Sequence, residues 1–100
     1  MSVGRTPEEV ARGDIPEQYA RVVAVSISPS SRHAVVAMQT NEPPAVELYE
    51  VACELGENGW VEFASHSGGG LGSFFFDDGC TVETEWSGTG DWSARWSREA

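Results

Sequence analysis

Two long apolar runs in the first half of the chain carry its strongest hydrophobic pattern, and they predict a pair of β-strands. The runs are Arg21–Ser28 and Arg32–Thr40, both rich in valine, with Pro29, Ser30 and Ser31 between them. Valine-rich segments separated by a Pro/Ser turn are typical of a β-hairpin. Both faces of each run are largely apolar, so the pattern predicts a central hairpin that is covered on both sides.

Further strands are predicted from shorter apolar or alternating segments, each of which ends at a turn signal. These segments are Ala45–Glu54, Trp60–Ser65, Phe74–Phe76, Cys80–Trp86 and Trp92–Ser97. The connections between them contain Asn58-Gly59, Asp77-Asp78-Gly79 and Gly88-Thr89-Gly90. Such sequences are typical of tight hairpin turns, so the strands are expected to follow one another as a meander.

The final hairpin has a pattern that predicts its register. With Thr89 at the centre of the turn, Trp86 faces Trp92 across the two strands. On the opposite side of the sheet, Glu83 then faces Arg95. Aromatic and opposite-charge pairs of this kind each stabilise a sheet by about 0.2–1 kcal/mol. A slip by one residue would turn the tryptophans to the other face, so the pattern specifies one register.

The N-terminal region contains the signals of a short helix. Thr6 fits the N-cap position, Pro7 fits the first helical position, and Glu9 fits the third position of a capping box. Gly13 is a natural end for this helix. The sequence therefore predicts a helix over about Pro7–Arg12.

Together these segments predict a β-dominated α+β fold with one domain over residues 1–100. We expect short helical turns, at Pro7–Arg12 and at 14–19, to cap a curled antiparallel meander of six to seven strands, and residues 1–5 to be a frayed tail. Two short helical turns cannot cover a flat sheet of six to seven strands. The sheet is therefore expected to curl or fold over itself. The Ser28–Arg32 turn is similar to the Ser-Pro-Asp-Gly-Arg turns of β-propeller blades, and this resemblance implies a hairpin.

The charge balance is strongly acidic and narrows the classes of partner. Sixteen acidic residues face six arginines and no lysine, which gives a formal net charge of −10. Direct nucleic-acid binding is not expected, because it needs clustered basic side chains. No apolar run reaches the roughly 18 residues of a membrane helix, and the first residues do not resemble a signal peptide. We therefore expect a cytoplasmic protein with reduced thiols at Cys53 and Cys80.

Four glutamates define a predicted partner-binding surface. Glu47, Glu62, Glu83 and Glu85 alternate with apolar residues, which places them on solvent-facing sides of strands. A concentrated acidic face can steer a basic partner towards rapid association. The leading hypothesis is a small acidic module that acts by protein–protein contact, as an inhibitor or immunity-like partner of a basic protein. A solvated face that prevents edge-to-edge aggregation is the other interpretation of the same residues.

Four tryptophans support an alternative hypothesis. Trp60, Trp86, Trp92 and Trp96 are many for 100 residues. Exposed aromatic rings on a sheet can stack against a sugar or another small ligand. The same side chains can instead fill the core of a small β domain. The second functional hypothesis is therefore small-molecule or carbohydrate binding against these rings.

An enzyme is the third hypothesis, with no catalytic residue, cofactor or metal ion assigned. His33, His66 and the two cysteines lack the spacing of metal ligands such as Cys-x-x-Cys or His-x-x-x-His. Serine, histidine and acidic residues are present, but nucleophilic catalysis depends on their arrangement and not on their presence.

Overall fold

The computed structural model describes residues 6–13, 15–16, 18–40, 48–67, 71–87 and 91–98 of the chain. This part of the chain contains one α-helix and seven β-strands. The elements in chain order are α1 (Pro7–Arg12), β1 (Ala20–Ile27), β2 (His33–Thr40), β3 (Leu48–Gly56), β4 (Gly59–Ser67), β5 (Leu71–Phe75), β6 (Cys80–Trp86) and β7 (Trp92–Arg98). The predicted tail at 1–5, the turn at 88–90 and part of the predicted helical turn at 14–19 lie outside the described residues.

The helix α1 has the bounds that its local signals predict. The Glu9 backbone N–H donates to Thr6 Oγ1 at 3.2 Å, and the Thr6 backbone N–H donates to Glu9 Oε1 at 2.8 Å. This reciprocal pair is the predicted capping box, with proline in the first turn. The helix ends at Gly13, whose φ of +54° is a conformation that glycine adopts without steric cost.

The strands form two antiparallel sheets that stack on each other. The first sheet has the order β1-β2-β3-β4 and the second has the order β5-β6-β7, so neighbouring strands are consecutive in the chain. The predicted β-dominated meander is confirmed, and it folds over itself as a sandwich of two layers. Because α1 packs on the outer side of the four-stranded sheet, that sheet lies between the helix and the three-stranded sheet.

Each face of the four-stranded sheet contributes to a separate apolar cluster. The cluster between the sheets contains Val35, Ala52, Phe74, Phe76, Cys80 and Val82, with Phe63, Ala64, Trp92, Ala94 and Trp96 packed against it. The cluster beneath the helix contains Ala11, Val36, Met38, Val51 and Cys53, with Val10, Val22, Tyr49 and Trp60 packed against it. The alternation of Val35 and Val36 between the two clusters follows the two-residue period of a strand.

The strand β2 is covered on both sides, but β1 is not. All residues of β2 from His33 to Met38 are buried. In contrast, β1 is an edge strand, and its Val25 and Ile27 are 36% and 51% exposed. The predicted central hairpin is therefore wrong for β1, and the two central strands of the sheet are β2 and β3. The alternating apolar pattern of β1 is also interrupted by a β-bulge between Val22 and Ala24.

The turn between β1 and β2 confirms the hairpin that its sequence implies. The Ser28 N–H donates to the His33 carbonyl at 2.8 Å, and the Ser31 N–H donates to the Ser28 carbonyl at 2.9 Å. Ser31 has a φ of +64°, at the position where the similar β-propeller turn has glycine. A left-handed conformation costs an L-residue other than glycine roughly 1–2 kcal/mol, so this turn is locally strained.

The final hairpin has the register that its pattern predicts. Trp86 pairs with Trp92, and Glu83 pairs with Arg95 on the other face. The preceding strand differs from the prediction, because β5 runs from Leu71 to Phe75 and ends before Phe76. The strand ends where the next turn begins, since the Gly79 N–H donates to the Phe76 carbonyl at 3.1 Å.

Cys53 and Cys80 are buried and are not joined in a disulfide, in agreement with the prediction of reduced thiols. Burial, and secondarily the charge of Glu62, raises the pKa of the Cys53 thiol from 9.0 to about 12. The thiol group lies 3.9 Å from the Pro7 carbonyl, beneath the helix. Because the thiolate is the reactive form, Cys53 is inert as a nucleophile at neutral pH in the folded protein.

We expect the Cys53 thiol to make the protein less stable at alkaline pH. Its folded pKa, about 12, lies above its unfolded value of 9.0, so the stabilising contribution is complete below pH 9.0 and is lost as the pH rises towards 12. Unfolding free energies measured by denaturant titration at about pH 8 and about pH 10.5 should therefore fall with pH. The fall should be smaller in Cys53→Ala, and equal falls in both proteins would contradict this assignment.

Candidate functional site

The three-stranded sheet has one side that no described element covers, here called the outer face. It includes the outward side chains of Leu71, Ser73, Phe75, Glu83, Glu85, Ser93 and Arg95. In the paired register, Glu85 lies between Leu71 and Ser93, and Glu83 lies between Ser73 and Arg95. A shallow depression of about 620 Å³ runs over these strands.

Two large apolar side chains of the outer face are exposed to an unusual degree. Leu71 is 80% exposed and Phe75 is 70% exposed, the highest values among the large hydrophobic residues that the structure describes. Both belong to β5, an edge strand, and because they are four positions apart along the strand they lie about 13 Å from each other. The outer face therefore combines two apolar anchors with the acidic strand β6.

The structure brings together two of the four predicted partner-binding glutamates. Glu83 and Glu85 are exposed neighbours on the outer face. Glu62 is also exposed but lies in β4, where it pairs with Cys53 and therefore faces the helix side of the other sheet. Glu47 lies outside the described residues. The predicted acidic surface is thus divided between two sides of the molecule.

The four tryptophans do not form one platform. Trp92 and Trp96 point inward from β7 and pack against the cluster between the sheets. Trp60 packs against the cluster beneath the helix, on the other side of the four-stranded sheet. Trp86 is the register partner of Trp92 and is partly buried. Three of the four rings therefore contribute to the core, as expected if the tryptophans fill the interior of a small β domain.

A buried carboxylate, that of Glu50, joins the two sheets from within. Glu50 is only 1% exposed. Thr84 Oγ1 donates to its Oε1 at 2.8 Å, and Trp92 Nε1 donates to its Oε2 at 2.5 Å. His66 Nε2 lies 2.7 Å from Oε1, although its ring is not oriented to make a well-aligned hydrogen bond. We call these four residues the Glu50 cluster.

The backbone of β5 leaves space for the Glu50 cluster at a glycine. A Cβ atom at Gly72 would lie 2.4 Å from His66 Nε2 and 2.7 Å from Glu50 Oε1. Real Cβ atoms do not approach other atoms so closely. Gly72 is therefore required by the close approach of the cluster to β5, and its own backbone angle is not the reason.

A pocket of about 300 Å³ opens where the β1–β2 turn meets the β5–β6 turn, and we call it the His33 pocket. Its lining includes Ser28, Arg32, His33, Asp78, Cys80 and Trp96. His33 is 5% exposed, and its ring centroid lies 4.2 Å from that of Phe76. Its Nε2 lies 3.3 Å from Asp78 Oδ2, while Nδ1 has no hydrogen-bond partner among the described residues. A buried polar atom without a partner costs about 1–3 kcal/mol.

The His33 pocket contains serine, histidine and aspartate, but they do not form a nucleophilic triad. Ser28 Oγ accepts the backbone N–H of His33 at 3.1 Å and is 3.0 Å from Ser30 Oγ. A triad needs a hydrogen bond between the nucleophile and a ring nitrogen of the base, and Nδ1 makes none with the described residues. Among the described residues, Ser28, His33 and Asp78 therefore lack the contact between nucleophile and base.

Comparison with protein-family models, with curated proteins and with solved structures gives no significant match for this chain. Its function must therefore be inferred from its own geometry. Among the described residues, no three His, Cys, Asp or Glu side chains are grouped so that they could hold a metal ion. The described part of the chain also contains no helix that is long and apolar enough to cross a membrane.

Proposed function

We propose that this protein is a small acidic binding module that contacts a basic protein through its outer face. The observation that supports this most directly is the exposure of Leu71 and Phe75, at 80% and 70%, beside Glu83 and Glu85. Exposed apolar side chains that are rimmed by polar residues mark interaction sites in soluble proteins. The short edge strand thus supplies apolar contacts, and the neighbouring strand supplies charge.

The two kinds of side chain have different parts in such a complex. Leu71 and Phe75 would be desolvated by the partner and would carry most of the affinity, since a few buried apolar and aromatic anchors dominate most interfaces. The glutamates would act earlier, because rim charges mainly change the rate of association and its dependence on salt.

The charge of the chain indicates the chemistry of the partner. The net charge of −10 attracts a basic surface over the distances at which partners approach each other. A second copy of this chain is the less favourable occupant, because pairing two outer faces would bring Glu83 and Glu85 of both copies together. Inhibition or immunity-like protection is the finer form of the proposal, since covering a basic protein in this way requires no catalytic group.

A capture experiment from lysate of the native host tests the proposal at about 0.05 M and about 0.5 M salt. We expect one basic protein to be retained by the wild type and to be released at the higher salt. The double variant Leu71→Ser/Phe75→Ser should no longer retain it. With the purified partner at low salt, the double variant Glu83→Gln/Glu85→Gln should have an association rate constant that is lower by up to about tenfold.

The matched control is Glu62→Gln, because Glu62 is also exposed but lies on the helix side of the other sheet. It removes one charge away from the outer face and should leave capture nearly unchanged. Sedimentation of the protein alone distinguishes self-association from binding to another protein. A captured set of proteins that is the same for all variants, or self-association through the outer face, would contradict the proposal.

A further inference from the structure

We propose that the His33 pocket is a second binding site, for a small neutral polyhydroxylated ligand of the monosaccharide class. The pocket shares no lining residue with the depression over the outer face, so this inference does not depend on the proposed protein partner. Its volume of about 300 Å³ is at the lower end of the range for small-molecule sites. This size suits a single sugar ring better than a nucleotide cofactor.

The aromatic wall of the pocket is held in place before any ligand arrives. Trp96 Nε1 donates a hydrogen bond to Ser26 Oγ at 2.8 Å. Its ring is stacked with Phe76 at a centroid distance of 6.1 Å and an interplanar angle of 20°. A fixed indole that lines a pocket offers an apolar surface on which the C–H face of a sugar can pack. Of the four predicted ligand-stacking residues, Trp96 is thus the one that lines this pocket.

The polar groups of the pocket favour a ligand without net charge. Arg32 and Asp78 both line it, so one positive and one negative side chain are present. Their effects on a charged ligand oppose each other. A hydroxyl group can both donate to a carboxylate and accept from a guanidinium, so a polyol can use both side chains. The Asp78 side chain is 48% exposed, which leaves its carboxylate accessible from solvent.

His33 adds a polar ring to the lining of the pocket. Its Nε2 faces Asp78 Oδ2 at 3.3 Å, an arrangement that keeps the ring proton on Nε2 in the neutral form. Nδ1 is then an acceptor, and it has no partner among the described residues. Nδ1 is itself shielded from solvent, so a ligand hydroxyl can donate to it only if the ring turns towards the pocket. The fixed indole and the opposed charges both point to the same ligand class.

Titration with D-glucose, D-galactose, D-mannose and N-acetyl-D-glucosamine, followed by ¹H–¹⁵N NMR, tests the inference. Each indole N–H gives one signal, and Trp96→Phe identifies the signal of Trp96. We expect at least one sugar to shift this signal saturably, with a dissociation constant near or below about 10 mM. Asp78→Asn should weaken binding by about tenfold or more, because it removes the charge of one acceptor.

Asp77→Asn is the matched control, since Asp77 occupies the same turn but does not line the pocket. It should bind the sugar as the wild type does. Unchanged indole signals of Trp60 and Trp92 would show that each variant remains folded. The inference is overturned if none of the four sugars shifts the Trp96 signal saturably, or if Asp78→Asn binds as well as Asp77→Asn. Saturation by inorganic phosphate in place of the sugars would also overturn it, because it would show an anion site.

Discussion

Replacing Glu50 by alanine is expected to lower the free energy of unfolding by about 3–5 kcal/mol. The carboxylate is 1% exposed and accepts hydrogen bonds from Thr84 and Trp92, both in the other sheet. Alanine would leave a hydroxyl and an indole N–H without an acceptor inside the sandwich. It would also leave a cavity in place of the removed atoms, which adds to the cost.

Thermal and denaturant-induced unfolding measure this effect. A loss of this size in a chain of 100 residues corresponds to a Tm lower by about 15 °C or more. Glu50→Gln should lose less, about 1–3 kcal/mol, because it keeps one carbonyl acceptor and the volume of the side chain. Glu83→Ala is the control at an exposed position and should change stability by no more than about 1 kcal/mol, the upper value for its cross-strand pair with Arg95. A Glu50→Ala variant as stable as this control would show that the Glu50 cluster does not hold the sheets together.

The parts of the fold that were predictable from sequence are those that depend on nearby residues. The helix Pro7–Arg12 follows from a capping box whose two partners are three positions apart. The register of the last hairpin follows from one turn and from pairs on either side of it, such as Trp86 with Trp92. In both cases the physical cause lies within a short stretch of chain, so the sequence pattern is sufficient.

The Glu50 cluster was not predicted because its partners are distant in the chain. Thr84 and Trp92 are 34 and 42 residues away from Glu50 and belong to the other sheet. One signal was present, since Leu48 and Ala52 share a strand face with Glu50 and both are apolar. A single acidic residue on an apolar strand face indicates a buried and paired charge, because carboxylates are almost never fully buried otherwise.

Alternation within a strand also could not locate the predicted acidic surface. It correctly placed Glu62, Glu83 and Glu85 on exposed positions. It could not show that Glu62 faces the helix side of one sheet while the other two face outward from the second sheet. Each strand has two faces, and only the stacking of the layers decides which face meets which neighbour. The His33 pocket has the same origin, because two turns that are distant in sequence meet there.

Replacing Gly72 by alanine is expected to lower the free energy of unfolding by about 2–3 kcal/mol, a large effect for one added methyl group. The new Cβ would lie 2.4 Å from His66 Nε2 and 2.7 Å from Glu50 Oε1. The His66 side chain is 35% exposed and can turn away towards solvent. The Glu50 carboxylate cannot, because it is buried and bonded to Thr84 and Trp92. Ser73→Ala, at the next and exposed position of β5, is the control and should be nearly neutral.

A double-mutant cycle with His66→Ala separates the two close contacts of this methyl group. If the ring of His66 is the main obstacle, Gly72→Ala should cost at least about 1 kcal/mol less in the His66→Ala background. We expect this reduction, together with a residual cost, because Glu50 Oε1 remains 2.7 Å from the added atom. Additive effects, within about 0.5 kcal/mol, would mean that the ring is not displaced and that β5 itself moves away from the other sheet. Since β5 also carries Leu71 and Phe75, such a movement would reach the outer face, and Gly72→Ala would then weaken partner capture as well as stability.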